Sequence, residues 1–123
     1  MIAQYLYEIE GEIEHCTCEI KGTKEQEEYA KFLWGVTYDL SELHYHHCVY
    51  KKKDIEDILY DEYMYDEEDI NKTLEFYPDL LVSVDVISAY EEYMFKLREL
   101  GMKAKWIDKD YDEVDVWTST GVY

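Results

Sequence analysis

Positive charge is the scarcest property of this chain. Its 123 residues include thirty aspartates and glutamates but only twelve lysines and arginines, which gives a formal net charge of −18. Arg98 is the one arginine in the sequence. Because phosphate groups repel a negative surface, this balance disfavours direct binding to nucleic acid. A charge of this size also destabilises the compact state by self-repulsion, so we expect a basic partner that compensates it.

Proline, glycine, cysteine and long apolar runs are also scarce. With one proline and five glycines, the chain contains no Pro- or Gly-rich linker, and we expect one acidic domain over residues 1–123. The uncharged runs fall far short of the ~20 apolar residues that a membrane-spanning helix needs. Three cysteines form no dense disulfide framework, and residues 1–8 lack the basic and apolar regions of a secretory signal. We therefore expect a cytoplasmic protein without a membrane partner.

Apolar and aromatic residues are plentiful, which argues against disorder. Apolar residues make up 47% of the chain and aromatic residues 16%, whereas acidic disordered segments contain few aromatics. Alternation predicts extended structure over residues 2–20, in which Gly11 could mark a bend, a bulge or a hairpin turn. A capping box of Thr23 and Gln26 predicts a helix that ends at Gly35.

Later segments alternate between predicted strands and helices. The predicted strands cover residues 43–51, 80–87, 102–108 and 113–118. The last two strands are predicted to form a hairpin that turns through residues 109–112. Helices are predicted to begin at Asp54 and at Ser88, the second of them ending at Gly101, and Asp66 either caps another helix or lies within the first. These elements predict an α+β fold: a single domain in which a mixed or mostly antiparallel sheet carries about three helices.

The first candidate site is a row of glutamates in the extended N-terminal segment. It consists of Glu8, Glu10, Glu12 and Glu14. On one continuous strand these carboxylates would project from one face about 6.8 Å apart, which is twice the rise per residue and comparable to the spacing of phosphates along a nucleic-acid strand. The alternative is an exposed strand whose solvent face consists of glutamates, with repulsion that prevents aggregation. Both interpretations stay open.

The second candidate site is the acidic stretch 54–79, in which eleven acidic residues stand against Lys72. Tyrosines lie between the acids, and tyrosine adds apolar contact area to an interface at little entropic cost. The alternative is a solvated helix face. The candidate partner-binding residues in this stretch are Asp57, Tyr60, Asp61, Glu62, Tyr63, Tyr65, Asp66, Glu67, Glu68 and Asp69.

Histidines and cysteines lie in two short stretches of the chain. The first holds His15, Cys16 and Cys18, and the second holds His44, His46, His47 and Cys48. If both stretches form neighbouring strands, a tetrahedral zinc site becomes geometrically feasible. The spacings match no strong zinc signature, and free cysteine is commonly a buried small hydrophobe. We therefore assign no metal, no cofactor and no catalytic residue, and keep a zinc-dependent small enzyme or sensor as an alternative function.

In size, charge and tyrosine content, the chain resembles the small acidic DNA-mimic inhibitors that phages and mobile elements direct against restriction or CRISPR systems. The resemblance is to a class, and it implies a non-catalytic inhibitor that occupies the basic nucleic-acid-binding surface of a nuclease or of a CRISPR or restriction effector. It also implies the host cytosol as the location if a phage encodes the protein. An immunity protein or antitoxin that neutralises a basic nuclease is the alternative, and a homodimer stays open.

Overall fold

Four strands and four helices are present in the described part of the chain. The computed structural model describes residues 1–107 and 116–120, without the side chains of 6–9, 13–16, 86 and 116–120. The strands are β1 (Ile2–Ile9), β2 (Glu12–Lys21), β3 (Lys103–Ile107) and β4 (Val116–Thr120). The helices are α1 (Lys24–His46), α2 (Lys52–Asp61), α3 (Glu67–Phe76) and α4 (Val86–Glu99). The α+β fold class is confirmed.

The sheet is mixed, with the strand order β3-β2-β1-β4. β1 and β2 form an antiparallel hairpin that turns at Glu10 and Gly11, whose φ angles of 52° and 84° suit a tight two-residue turn. β2 also pairs antiparallel with β3, whereas β1 pairs parallel with β4. The predicted hairpin of the last two strands is therefore wrong, because β3 and β4 lie at opposite edges of the sheet. Its predicted turn at 109–112 lies outside the described residues.

Helix α1 begins as predicted but continues beyond its predicted end. The Thr23 side chain accepts from the backbone N–H of Gln26, and the Gln26 side chain accepts from the N–H of Thr23. The predicted end at Gly35 and the predicted strand at 43–51 are wrong, because α1 runs to His46. Buried residues repeat at helical spacing on both sides of Gly35, at Leu33, Thr37, Leu40 and His44. That burial outweighs the ~1 kcal/mol that an interior glycine costs a helix.

Helices α2 and α3 are separate. Met64 lies between them with a φ of 61°, a left-handed conformation that does not continue a right-handed helix. Asp66 then caps α3 by accepting from the backbone N–H of Asp69, which confirms one of the two predictions for this residue. The prediction that Asp54 caps α2 is wrong, because the N-cap position belongs to Lys51, which makes no side-chain capping bond. Asp54 lies in the first turn, where its charge still favours the positive end of the helix dipole.

The predicted strand at 80–87 is wrong. Leu80 has a φ of 56°, which interrupts an extended segment, and α4 begins at Val86. Asp85, not Ser88, is the N-cap of α4: its carboxylate accepts from the backbone N–H of Ser88 at 3.3 Å and from the Ser88 hydroxyl at 2.6 Å. A short apolar run does not by itself distinguish a buried strand from a loop that leads into a helix.

Aromatic rings fill the space between α1, α4 and the sheet. The Trp34 ring of α1 lies 4.2 Å from the Tyr90 ring and 5.6 Å from the Tyr93 ring of α4, measured between centroids. The Tyr5 ring of β1 lies 5.3 Å from the Tyr90 ring. The hydroxyls of Tyr90 and Tyr93 donate to the backbone carbonyls of Trp34 and Ala30. Part of the high tyrosine content therefore belongs to the core, where each buried ring also needs a partner for its hydroxyl.

Candidate acidic interface

The N-terminal glutamates do not form a continuous row. A hairpin turn at Glu10 reverses the chain, so Glu8 lies on β1 while Glu12 and Glu14 lie on β2. In the register, Glu8 is paired with Ile13, and alternate strand positions belong to opposite faces of a sheet. Position 8 therefore shares a face with position 13 and not with positions 12 and 14. The condition for a single row, one continuous strand, is therefore not met, and the place of these four residues in a partner interface stays a prediction.

Exposed carboxylates follow one another along α2, the linker after it and α3. We define the α2–α3 acidic surface by the exposed residues of the predicted site: Asp57, Tyr60, Asp61, Glu62, Asp66, Glu67 and Glu68. Glu68 forms an ion pair with Lys72, at 3.2 Å between Oε1 and Nζ. Among the side chains that the structure describes, this is the one ion pair of the surface. The negative charge here is therefore largely uncompensated by neighbouring lysines.

The three predicted tyrosines have different environments. Tyr60 is 41% exposed, whereas Tyr63 and Tyr65 are half-buried. The Tyr63 hydroxyl donates to Oε1 of Glu42 at 3.1 Å, and the Tyr65 hydroxyl donates to Oδ2 of Asp39 at 2.7 Å. These two phenols attach the linker between α2 and α3 to α1. Of the three rings, Tyr60 is therefore the most accessible to a partner.

Met64 protrudes between the two attached tyrosines and is 81% exposed. Its φ of 61° lies in the left-handed region, which costs a residue with a Cβ atom about 1–2 kcal/mol. The backbone N–H groups of Tyr63 and Tyr65 donate to the carbonyls of Ile58 and Leu59, so the linker is held on both sides of Met64. Met64 is not among the predicted site residues, because nothing in the sequence marks its conformation: left-handed positions are usually glycine.

Asp39 and Glu42 on α1 form a cluster of carboxylates and phenols with these tyrosines. Burial raises the pKa of Asp39 to about 6, while the hydrogen bond from Tyr65 lowers this pKa and repulsion by Glu42 raises it. Burial, followed by the nearby carboxylates, raises the pKa of Tyr63 and Tyr65 well above the usual value for tyrosine. Neither carboxylate is among the predicted site residues, because the predicted helix ends at Gly35. Continuing the helical spacing past this glycine would place both residues on α1, but their pairing with Tyr63 and Tyr65 depends on tertiary contacts.

The histidines and cysteines that the zinc alternative requires do not meet on neighbouring strands. His44 is buried on α1, with its Nδ1 2.7 Å from the carbonyl oxygen of Val49. Cys18 is buried in β2, and Cys48 is exposed after the end of α1. Among the described residues, no group of three or more His, Cys, Asp or Glu side chains is placed to hold a metal ion. The side chains of residues 15–16 lie outside that description.

Similarity to other proteins adds no information about this surface. Comparison with protein-family models, with curated proteins and with solved structures found no match. Within the described residues, no helix has the length and apolar character needed to cross a bilayer. The resemblance to DNA-mimic inhibitors stays a prediction, and function is inferred from the charge and geometry of the surface itself.

Proposed function

We propose that this protein is a non-catalytic inhibitor that binds the basic nucleic-acid-binding surface of a nucleic-acid-processing enzyme. The α2–α3 acidic surface is the proposed contact. The observation that supports it is the run of exposed carboxylates along α2, the linker and α3, with the Glu68–Lys72 ion pair as the one described compensation. A nuclease or an effector of a CRISPR or restriction system is the proposed class of target, because such enzymes present grooves of cations to nucleic acid.

Electrostatic steering is the role that we assign to the carboxylates. Exposed ion pairs contribute little to folding stability, and like charges on one surface oppose it, so stability does not explain their accumulation. Opposite charge patches raise association rates and disfavour wrong partners. With a net charge of −18, the whole molecule is attracted to the cation-lined cleft of the target enzyme. The α2–α3 acidic surface is the face that we propose contacts this cleft.

Apolar groups on and beside this surface supply the proposed short-range contacts. Tyr60 and Met64 are 41% and 81% exposed, and both lie among surface acids in the sequence. Binding energy in protein interfaces is concentrated in a few such side chains, surrounded by a polar rim. Because the hydroxyls of Tyr63 and Tyr65 already attach the linker to α1, ordering this segment costs little entropy on binding.

Immunity proteins and antitoxins that neutralise basic nucleases use the same kind of charge complementarity. That alternative differs from the proposal in the identity of the target and not in the surface that docks. The zinc-dependent enzyme or sensor lacks a comparable observation in its favour, because the segment 43–46 that it requires as a strand is part of α1.

Nuclease inhibition by matched surface variants tests the proposal. The purified protein is added to a panel of CRISPR and restriction nucleases, and both DNA binding and DNA cleavage are measured. The surface variant carries Asp57→Asn, Asp61→Asn, Glu62→Gln and Glu68→Gln, which removes charge and keeps shape. The control variant carries Glu25→Gln, Glu28→Gln, Glu91→Gln and Glu99→Gln, which removes the same charge from exposed positions on α1 and α4.

The two variants separate a specific surface from net charge alone. We expect the surface variant to lose inhibition of a sensitive nuclease while the control variant retains it. If both variants inhibit like the wild type, the α2–α3 acidic surface is not the contact. If both lose inhibition equally, total charge and not this surface determines binding.

A further inference from the structure

A groove between β2, β3 and the end of α4 collects positive charge in this acidic protein. We call it the basic groove. Its volume is about 530 Å³, and the charged residues of the described chain that line it are Lys21, Arg98, Lys103, Lys105 and Glu19. Among the described residues, four cations thus face one carboxylate, in a chain in which acids outnumber cations by thirty to twelve. A uniformly acidic surface does not produce such a concentration, so the basic groove requires a separate explanation.

Strand pairing places two of these cations directly side by side. Lys21 on β2 is paired with Lys103 on β3, and like charges at directly opposite strand positions repel each other. Glu19 compensates Lys21 and Lys105, with its Oε1 3.6 Å and 3.8 Å from their Nζ atoms. Lys103 forms no ion pair with any described residue. Among the described residues, the repulsion between Lys21 and Lys103 is therefore only partly compensated.

Arg98 is held in a defined orientation in the wall of the basic groove. Its Nε donates to the carbonyl oxygen of Ala104 at 2.7 Å, so β3 fixes the plane of the guanidinium group. Within the described part of the chain, Arg98 forms no ion pair. A guanidinium group presents its N–H donors as a planar fork, which matches two oxygens of a phosphate group.

We propose that the basic groove binds a dianionic phosphate group, either free or carried by a small phosphate monoester. Arg98 binds two of its oxygens through the guanidinium fork. Lys21 and Lys103 neutralise the remaining charge, and the bound anion removes their mutual repulsion. Met102 and Ala104 also line the groove but are almost fully buried, so the charged side chains supply the proposed contacts.

The overall charge limits the ligand to a small one. A long polyanion such as nucleic acid would extend over the acidic parts of the molecule and be repelled by them. At about 0.15 M ionic strength the Debye length is about 8 Å, so an anion inside the groove interacts mainly with its lysines and arginine. The inference is independent of the proposed function, because β2, β3 and α4 build the basic groove.

Titration of the full chain with two phosphate probes tests this site. Inorganic phosphate and adenosine monophosphate are titrated separately in about 0.15 M NaCl, with calorimetry and backbone amide NMR as readouts. We expect saturable binding at millimolar concentration or below, with the largest shifts at Lys21 and along β3. Equal affinity for the two probes identifies free phosphate as the ligand type, and tighter binding of the nucleotide identifies a monoester. Binding should weaken from about pH 7.5 to about pH 5.5, because a phosphate monoester gains a proton with a pKa of about 6.

Three variants distinguish a built site from general charge. Lys103→Gln removes one exposed cation, and Arg98→Lys keeps the charge but removes the planar guanidinium fork. Each variant should weaken phosphate binding about tenfold, because each loses one charge-assisted hydrogen bond. Lys31→Gln removes an exposed lysine of α1 outside the groove and should leave the affinity unchanged. Circular dichroism verifies the fold of each. Absence of saturable binding, or equal losses in Lys31→Gln and Lys103→Gln, would overturn the proposal and leave the β3 lysines as protection of a sheet edge.

Discussion

The Tyr65 hydroxyl donates a hydrogen bond of 2.7 Å to Oδ2 of Asp39. Burial raises the pKa of this carboxyl group to about 6, and the hydrogen bond acts in the opposite direction. Tyr63 and Glu42 repeat the arrangement about one helical turn further along α1. Two phenol–carboxylate pairs therefore hold the linker that carries Met64, and we expect the ionisation of Asp39 to affect the stability of this attachment.

We expect the stabilising contribution of Asp39 to fall with rising pH. Its pKa of about 6 in the folded state lies above the ordinary value of 3.8, so the folded state binds this proton more tightly than the unfolded state. The stabilisation is complete below the ordinary pKa and is lost as the pH rises through about 6. At neutral pH, Asp39→Asn should therefore raise the free energy of unfolding by roughly 1–3 kcal/mol. Urea unfolding of both proteins at several pH values measures the difference.

Tyr65→Phe provides the matched control for this prediction. Without the hydrogen bond that lowers it, the pKa of Asp39 should rise further, which carboxyl NMR titration would show. A stability difference between wild type and Asp39→Asn that does not change with pH would contradict the coupling. So would an unchanged Asp39 titration in Tyr65→Phe.

Met64→Gly should be neutral to stabilising, by up to about 1.5 kcal/mol. Glycine removes the left-handed penalty of about 1–2 kcal/mol and adds an entropic cost of roughly 0.5–1 kcal/mol. Little burial is lost, because Met64 is 81% exposed. Met64→Ala retains the penalty and should leave stability unchanged. Chemical unfolding checks both, and a clear loss of stability in Met64→Gly would show that the Met64 side chain supports the fold.

Added salt should raise the thermal stability of the wild type. The net charge of −18 opposes the compact state, and the Debye length contracts from ~30 Å at ~0.01 M salt to ~8 Å at ~0.15 M. Differential scanning calorimetry over this range should show a rising melting temperature. Sodium, potassium and a bulky organic cation should act alike; an effect of one cation alone would indicate a specific ion site instead of screening.

Local signals predicted the parts of the fold that depend on neighbouring residues. The predicted capping box at Thr23 forms, and so do the cap at Asp66 and the hairpin turn at Gly11, each of which was one of the alternatives that the sequence left open. Each depends on hydrogen bonding or backbone freedom within a few residues. The end of α4 is of the same kind, since Gly101 follows it with a φ of 90°. Such features can be predicted from the sequence without knowledge of any tertiary contact.

Tertiary packing determined what the sequence did not predict. Gly35 ends no helix, because the buried face of α1 continues on both sides of it. The apolar segment 80–87 forms a loop and the start of a helix. An apolar run does not by itself predict a strand, because the segments that a strand pairs with lie far away in the sequence. The exposure of the acids on the α2–α3 acidic surface could be predicted from the sequence, because charged side chains usually lie in solvent. The hydrogen bonds of Asp39 and Glu42 could not be predicted, because they depend on the return of Tyr63 and Tyr65 to α1.

Competition with DNA on an inhibited nuclease tests the central claim most directly. The binding of labelled DNA is measured at increasing concentrations of this protein, together with association and dissociation rates at low and moderate salt. We predict mutual exclusion, with the apparent Kd for DNA rising in proportion to the inhibitor, and association slowed by salt more than dissociation is accelerated. Reversal of Asp57, Asp61, Glu62 and Glu68 to lysine should abolish the competition more completely than reversal of Glu8, Glu10, Glu12 and Glu14. A ternary complex in which the nuclease holds DNA and inhibitor, each with undiminished affinity, would contradict the account.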